Sequence, residues 1–179
     1  MIEHEQELLE RSLAGDENAF TALYRQRQGS IFRFALQMTG SVEVAEDVTQ
    51  ETFLALLVAG RRYDASRGTF TAFLYGIARN QVLRRIAGRK HDPLEEQQGG
   101  EDPLEDLTRR ETVDQVRRAV LSLPPAYREA VVLCDLGDAS YEEAAAALEC
   151  PIGTVRSRLN RARAMLAQKL GAALGVCNV

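Results

Sequence analysis

The chain has 179 residues, 45% hydrophobic and only 6% aromatic, with no tryptophan, and its 22 basic and 26 acidic side chains leave a formal charge of −4. That size fits one or two soluble globular domains. The charge excludes a polybasic nucleic-acid coat, and no apolar run approaches the roughly 18 residues needed to cross a bilayer. Three widely spaced cysteines, Cys134, Cys150 and Cys177, form no C-x-x-C pair and read as reduced cytoplasmic thiols rather than a disulfide framework or zinc site. His4 and His91 are the only histidines, which is poor material for catalysis or a metal centre, so the expectation is a non-enzyme without metal or cofactor. The acidic opening MIEHEQELLERS lacks a signal-peptide core, so the expected location is the cytoplasm, without membrane insertion.

Charge by position divides the chain. Residues 1–90 carry 12 basic and 11 acidic side chains, 91–112 carry 2 and 8, and 113–179 carry 8 and 7. The middle stretch, HDPLEEQQGGEDPLED, combines Pro, Gly, Gln and acid with too little apolar surface to offset ordering, and reads as a flexible acidic linker. Whether its charge is plain solvation or a functional acidic insert stays open. Both flanks show apolar residues recurring at three and four with no sustained alternation, so the expected fold is all-α: two small helical domains joined by that linker.

In chain order, Gly15-Asp16 offers a cap before Phe20, Leu23 and Tyr24, and a second run carries Ile31, Phe34, Ala35 and Met38 up to Thr39-Gly40. A third helix starts near Ser41. At about 100° per residue it places Ala45, Val48, Thr52 and Leu56 inward and Asp47, Gln50, Glu51 and Leu54 outward, with Leu57 and Val58 extending the outer face. An acidic patch merging into exposed apolar side chains fits docking onto a basic, partly apolar partner. The rival reading, a metal–carboxylate site of Glu43, Glu46, Asp47 and Glu51, has no histidine nearby.

The stretch 61–90 holds eight basic residues against Asp64 alone, interleaved with Tyr63, Phe70, Phe73 and Tyr75. Cationic grooves with aromatic platforms suit unstacked nucleic-acid strands. A fourth helix runs from about Thr69 to Ala87, with Phe70, Phe73, Leu74 and Ile77 on its core stripe and Tyr75 and Arg79 projecting oppositely. Beyond the linker come a helix from about Thr108 to Leu121, the break Leu123-Pro124-Pro125, and three more helical stretches. In SYEEAAAALECPIGTVRSRLNRARAMLAQKL, Ser140 and Glu143 make a capping-box pattern, and the turn at 149–153 leads into a second helix. There Val155, Leu159, Ala162 and Leu166 form the buried stripe opposite Ser157, Asn160 and Arg161, with Arg156 and Arg163 flanking. This is the layout of a helix-turn-helix whose second helix enters the major groove.

These motifs, in this order, resemble a bacterial RNA polymerase sigma factor of the sigma-70 family, extracytoplasmic function class. AEDVTQETF (45–53) is similar to the core-polymerase-binding part of sigma region 2, TAFLYGIARNQVLRR (71–85) to its promoter-melting part, and LPPAYREAVVLCDLGDASYEEAAAALECPIGTVRSRLNRAR (123–163) to region 4. The resemblance implies a region 2 domain at 1–90, a linker at 91–112 and a region 4 domain at 113–179. It implies that Asp47, Gln50, Glu51, Phe53 and Leu54 dock on the clamp helices of the largest polymerase subunit. It implies that the loop from Tyr63 to Thr69, including Ser66 and Arg67, captures a flipped −10 base, with Arg79 and Asn80 at the same element, and that Arg156, Ser157, Asn160 and Arg161 read the −35 element while Arg163 holds phosphate. Expected partners are core RNA polymerase, promoter DNA and an anti-sigma protein, and the expected activity is promoter-specific initiation with capture of the melted non-template strand. Phe73 stands where the family usually has tryptophan, and Asn160 replaces a larger side chain of some relatives, so no −35 preference transfers. The competing reading, a stand-alone helix-turn-helix repressor or response regulator, explains the C-terminal half and leaves the first 90 residues without a role.

Overall fold

The computed structural model describes residues 2–88, 107–137 and 139–173, and among these every regular element is helical. Four helices, α1 (Ile2–Leu13), α2 (Glu17–Thr39), α3 (Val42–Ala59) and α4 (Phe70–Gly88), make the N-terminal bundle, with a short 3-10 turn at Gly60–Arg62. Four more, α5 (Leu107–Leu121), α6 (Pro125–Cys134), α7 (Tyr141–Ala147) and α8 (Ile152–Ala173), make the C-terminal unit. Residues 91–106 of the expected linker lie outside the described residues. The remainder, 107–112, is the start of α5, where Arg109, Arg110 and Glu111 are good helix formers.

Local chemistry sets the boundaries. Asp16 caps α2 by accepting from the amides of Asn18 (3.0 Å) and Ala19 (3.1 Å), and Arg11 donates to the same carboxylate from the end of α1. The Arg11 hydrogen bond first, then the Ala19 amide, holds the Asp16 carboxyl below its ordinary range. At the other end Gly40 takes φ 72° and returns its N–H to Leu36 O, a left-handed cap that only glycine adopts cheaply. Ser41 caps α3, Pro125 opens α6 at its first turn, and Ser140 with Glu143 forms the expected capping box on α7.

Two differences from expectation concern α1 and α2. The two apolar runs before Thr39 are one continuous helix, and an additional helix precedes it, burying Leu8 and Leu9 and pairing the half-buried Arg27 with Glu5 at 2.5 Å. The polar stretch 25–30 continues α2 rather than breaking it, with Arg25, Gln26 and Gly29 exposed and Arg27, Gln28 and Ser30 half-buried.

The core of the bundle takes Leu23, Ile31 and Met38 from α2, Val48 and Leu56 from α3, and Phe70, Leu74 and Val82 from α4. Each such fully buried side chain is worth about 1.5–3 kcal/mol. The core continues without a gap into the C-terminal unit through Leu123, Val131, Leu133, Ala144 and Leu159, because α7 packs on α4, and α5 and α6 pack on α2. There is a third difference. Tyr75, expected to project outward, is only 6% exposed and meets Phe34 edge-on at 5.4 Å, since α2 packs along its side of α4.

Candidate functional site: nucleic-acid and partner interfaces

On α3 the inward residues Ala45, Val48, Thr52 and Leu56 are all buried. The outward face is as expected: Asp47 and Gln50 are exposed, and Leu54, Leu57 and Val58 are 63%, 41% and 82% exposed. Three neighbouring apolar side chains left in water beside carboxylates form a surface that gains free energy when covered. The acids are not alone, however. Arg85 of α4 spans them, with Nη1 at 3.0 Å from Asp47 and Nη2 at 2.5 Å from Glu51, and the Asp47 hydrogen bond is the main reason its guanidinium is held above the ordinary range. Arg85 belongs to the basic stretch expected to meet nucleic acid, so one of those eight charges is instead paired with the carboxylates of α3.

Phe53 does not share that face. It is 2% exposed and packs edge-on against Tyr24 (4.8 Å between centroids) and Phe20 (6.4 Å). Expected in the docking set, it lies instead within the core, where it holds α3 against α2 from beneath. On a wheel it stands one residue from Leu54 and Thr52, so only the packing of α2 decides which way it turns.

The loop between the 3-10 turn and α4 is organised by Asp64, whose Oδ1 accepts from the Ser66 amide (2.9 Å) and hydroxyl (2.7 Å). The hydroxyl bond, then the amide, lowers the Asp64 pKa. Ser66 and Arg67 stand at the exposed tip. Tyr63 is half-buried against Phe70 and Phe73, with centroids 5.8 and 5.5 Å away, and burial raises the pKa of its phenol. Thr69 accepts from the Ala72 amide at 3.2 Å and so caps α4, while its hydroxyl donates to Glu143 of α7 at 3.1 Å. Arg79 donates from Nε to Glu129 of α6 at 2.9 Å, and Asn80 beside it is exposed. Of the six residues expected at the −10 element, Ser66, Arg67 and Asn80 are thus presented to solvent and Tyr63 is partly so. Thr69 and Arg79 are bonded to the C-terminal unit, through carboxylates that the sequence reading did not pair with them.

In the helix-turn-helix, Glu149 takes φ 51°, the left-handed residue that lets α8 leave α7 at an angle. Val155, Leu159 and Ala162 are buried, Leu166 is half-buried, and Arg156, Ser157, Asn160 and Arg161 share the exposed side. The Arg156 guanidinium lies 5.9 Å over the Tyr141 ring, a cation–π contact that steadies the side chain on the exposed face. Arg163 differs from its neighbours. It makes a fork to Asp135, Nε to Oδ2 at 3.0 Å and Nη2 to Oδ1 at 2.6 Å, and hydrogen bonds to Asp135, then Tyr141, hold its pKa above the ordinary value. Any phosphate contact by Arg163 competes with that carboxylate. Among the described residues no group of three His, Cys, Asp or Glu side chains is placed to hold a metal ion, and no helix is long and apolar enough to cross a membrane.

The sigma-70 region 2 family matches residues 23–91 and the sigma-70 region 4 family residues 114–166. The chain is 36% identical over 163 residues to the ECF RNA polymerase sigma factor SigE of Mycolicibacterium smegmatis, covering 85% of this chain but 63% of that protein. It is 36% identical over 174 residues to the ECF RNA polymerase sigma factor SigM of Mycobacterium tuberculosis, covering 92% of this chain and 84% of that one. Among solved structures it is similar to the sigma factor RpoE in complex with the anti-sigma factor NepR from Bartonella quintana, with a TM-score of 0.70 at 25% identity, covering 84% of this chain and 96% of that one.

Proposed function

The chain belongs to the extracytoplasmic function class of the sigma-70 family, and from that membership we propose that it binds core RNA polymerase and directs initiation at a specific set of promoters. The observation that carries this reading is one chain holding two unlike surfaces: the acidic–apolar outer face of α3 and the polar, basic face of α8. The first fits a protein and the second a duplex groove.

In this reading Asp47, Gln50, Glu51 and Leu54 meet the clamp helices of the polymerase largest subunit, with Phe53 supporting α3 from the core. Arg156, Ser157, Asn160 and Arg161 enter the −35 major groove, where an arginine reads guanine edges and asparagine reads adenine. Tyr63, Ser66, Arg67, Thr69, Arg79 and Asn80 then receive the unpaired −10 strand, whose unstacking is offset by aromatic and phosphate contacts. No bond is made or broken by the sigma factor itself; polymerase supplies the catalysis. Each DNA contact alone is weak in a chain of net charge −4, and tethering both on one polymerase converts them into a single strong one. An anti-sigma protein is the proposed negative regulator, by analogy with the complexed relative.

The test is transcription in vitro with core bacterial polymerase and genomic DNA of the source organism, with and without this protein, mapping starts by sequencing. New starts sharing −35 and −10 elements are expected. Absence of binding to core polymerase overturns the reading in favour of a stand-alone repressor.

A further inference from the structure

Of the four arginines on α8, only Arg156 is positioned without spending a hydrogen-bond donor. Arg163 is forked to Asp135 at 2.6 and 3.0 Å, so its charge and two of its N–H groups are engaged. Arg158 is half-buried, with Nη1 directed at the Cys150 sulfur at 4.0 Å. Arg161 is exposed and makes no ion pair or ring contact among the described residues. Arg156 is exposed too, but its guanidinium sits 5.9 Å from the centre of the Tyr141 ring. An ion pair consumes donors and cancels charge, whereas a cation held over a ring face keeps its N–H groups available.

The ring itself is fixed. Tyr141 is half-buried at the first position of α7, where the Ser140 hydroxyl accepts from the Glu143 amide at 3.1 Å and the Glu143 carboxylate accepts from the Ser140 amide at 3.0 Å. That box sets the first turn of α7, and with it the direction of the tyrosine. Arg156 and Arg163 stand two helical turns apart, about 10 Å along the axis of α8. The helix is therefore pinned at two points, at Tyr141 and at Asp135, which keeps ring and guanidinium in register.

We infer that Tyr141 is a positioning residue for base reading: its ring presents the Arg156 guanidinium, already oriented and with its fork of N–H groups free, to the edge of one −35 base. The inference rests on the sigma reading above and names what sets the stringency of its −35 contact. Guanine is the base that fits, since its O6 and N7 accept the two parallel bonds of a guanidinium. Orientation in advance matters because an arginine held by nothing loses rotamer freedom at the moment of contact. Arg161 meets that cost in full, so its charge adds affinity for any duplex while Arg156 carries the discrimination. Tyr141 acts through Arg156 and makes no base contact of its own.

The test is selection from a promoter library randomised through the −35 element, with the full chain bound to core polymerase and the enriched sequences read out. Tyr141→Phe keeps the ring and should keep the wild-type preference. Tyr141→Leu removes it and should lower discrimination at one position by about two- to five-fold, the worth of an exposed cation–π contact. That position must be the one relaxed by Arg156→Ala, and the two substitutions together should do no more than Arg156→Ala alone. So that a packing change at α7 does not decide the outcome, a trifluorinated phenylalanine at position 141 keeps the shape of the ring but drains its negative face, and should relax the same position relative to Tyr141→Phe. Unchanged preference with the fluorinated ring overturns the inference, as does relaxation spread evenly over the element, which is what a merely structural residue would give. A loss in Tyr141→Phe as large as in Tyr141→Leu moves the effect to the hydroxyl and also overturns it. Wild-type protein that does not bind core polymerase refutes the sigma reading, and the inference falls with it; binding with no effect at position 141 refutes the inference alone.

Discussion

The docking role of α3 can be tested by replacing Leu54 with serine. Leu54 is 63% exposed, so the native fold gains little from it, and Leu54→Ser should change folding stability by less than about 0.5 kcal/mol. Burying a leucine side chain completely is worth about 1.5–3 kcal/mol, and roughly two-thirds of this one remains to be covered, which makes its contribution on docking about 1–2 kcal/mol. That corresponds to about 5- to 30-fold in dissociation constant. The assay is titration of fluorescently labelled protein with core polymerase, alongside thermal unfolding. The adjacent Phe53 supplies the contrast. At 2% exposure and wedged between Tyr24 and Phe20, Phe53→Ala should cost about 3–5 kcal/mol of stability, and its effect on affinity should be smaller than that of Leu54→Ser once the folded fraction is accounted for. Unchanged polymerase affinity of Leu54→Ser would refute the assignment of this face.

Three further outcomes follow from the geometry. Arg156→Ala should weaken promoter binding by about 1–3 kcal/mol and relax preference at one −35 position, read by selection from a randomised −35 library; unchanged preference removes Arg156 from the reading set. Gly40→Ala meets both a φ of 72° and the Leu121 side chain, so it should destabilise by more than about 1 kcal/mol in urea unfolding, and a neutral result would mean that α2 ends differently. Burial, with Asp135 adding to it, pushes the Cys134 thiol up to about 11, so at pH 8 only about a thousandth of it is thiolate. Because the folded pKa is raised, alkylation of Cys134 in native protein should be slow at pH 8 and climb as pH rises towards 11. Labelling at pH 8 as fast as in urea contradicts that environment.

The sequence already carried the helices, their caps and the division of faces on α3 and α8, because each is written in local chemistry: Asp16, Gly40, Ser41 and the Ser140–Glu143 box for the ends, and apolar spacing for the faces. What it did not carry is who sits opposite whom. Tyr75 turns onto Phe34 of α2 and Arg79 onto Glu129 of α6, and a wheel knows nothing of which helix arrives on which side of α4. Phe53 turned inward for the same reason. Helix α1 escaped notice because Leu8, Leu9 and Leu13, though at helical spacing, are a short stripe in a segment otherwise dominated by acid.

The same missing information explains why counting charges overstated the basic surfaces. Arg85 is engaged with Asp47 and Glu51, Arg79 with Glu129, and Arg163 with Asp135, so three arginines read as nucleic-acid ligands are paired within the chain. Two of these pairs are partly solvated and cost little to exchange, since exposed ion pairs contribute about 0–1 kcal/mol. The third is different. Glu129 is buried, and taking Arg79 away from it while the C-terminal unit stays in place would leave a carboxylate without its counter-charge, which costs several kcal/mol. Arg79 can turn to a phosphate cheaply only if Glu129 reaches water at the same moment, that is, if the two domains part. A phosphate approaching Arg79 therefore has to compete with Glu129 for as long as α6 stays packed beside α4.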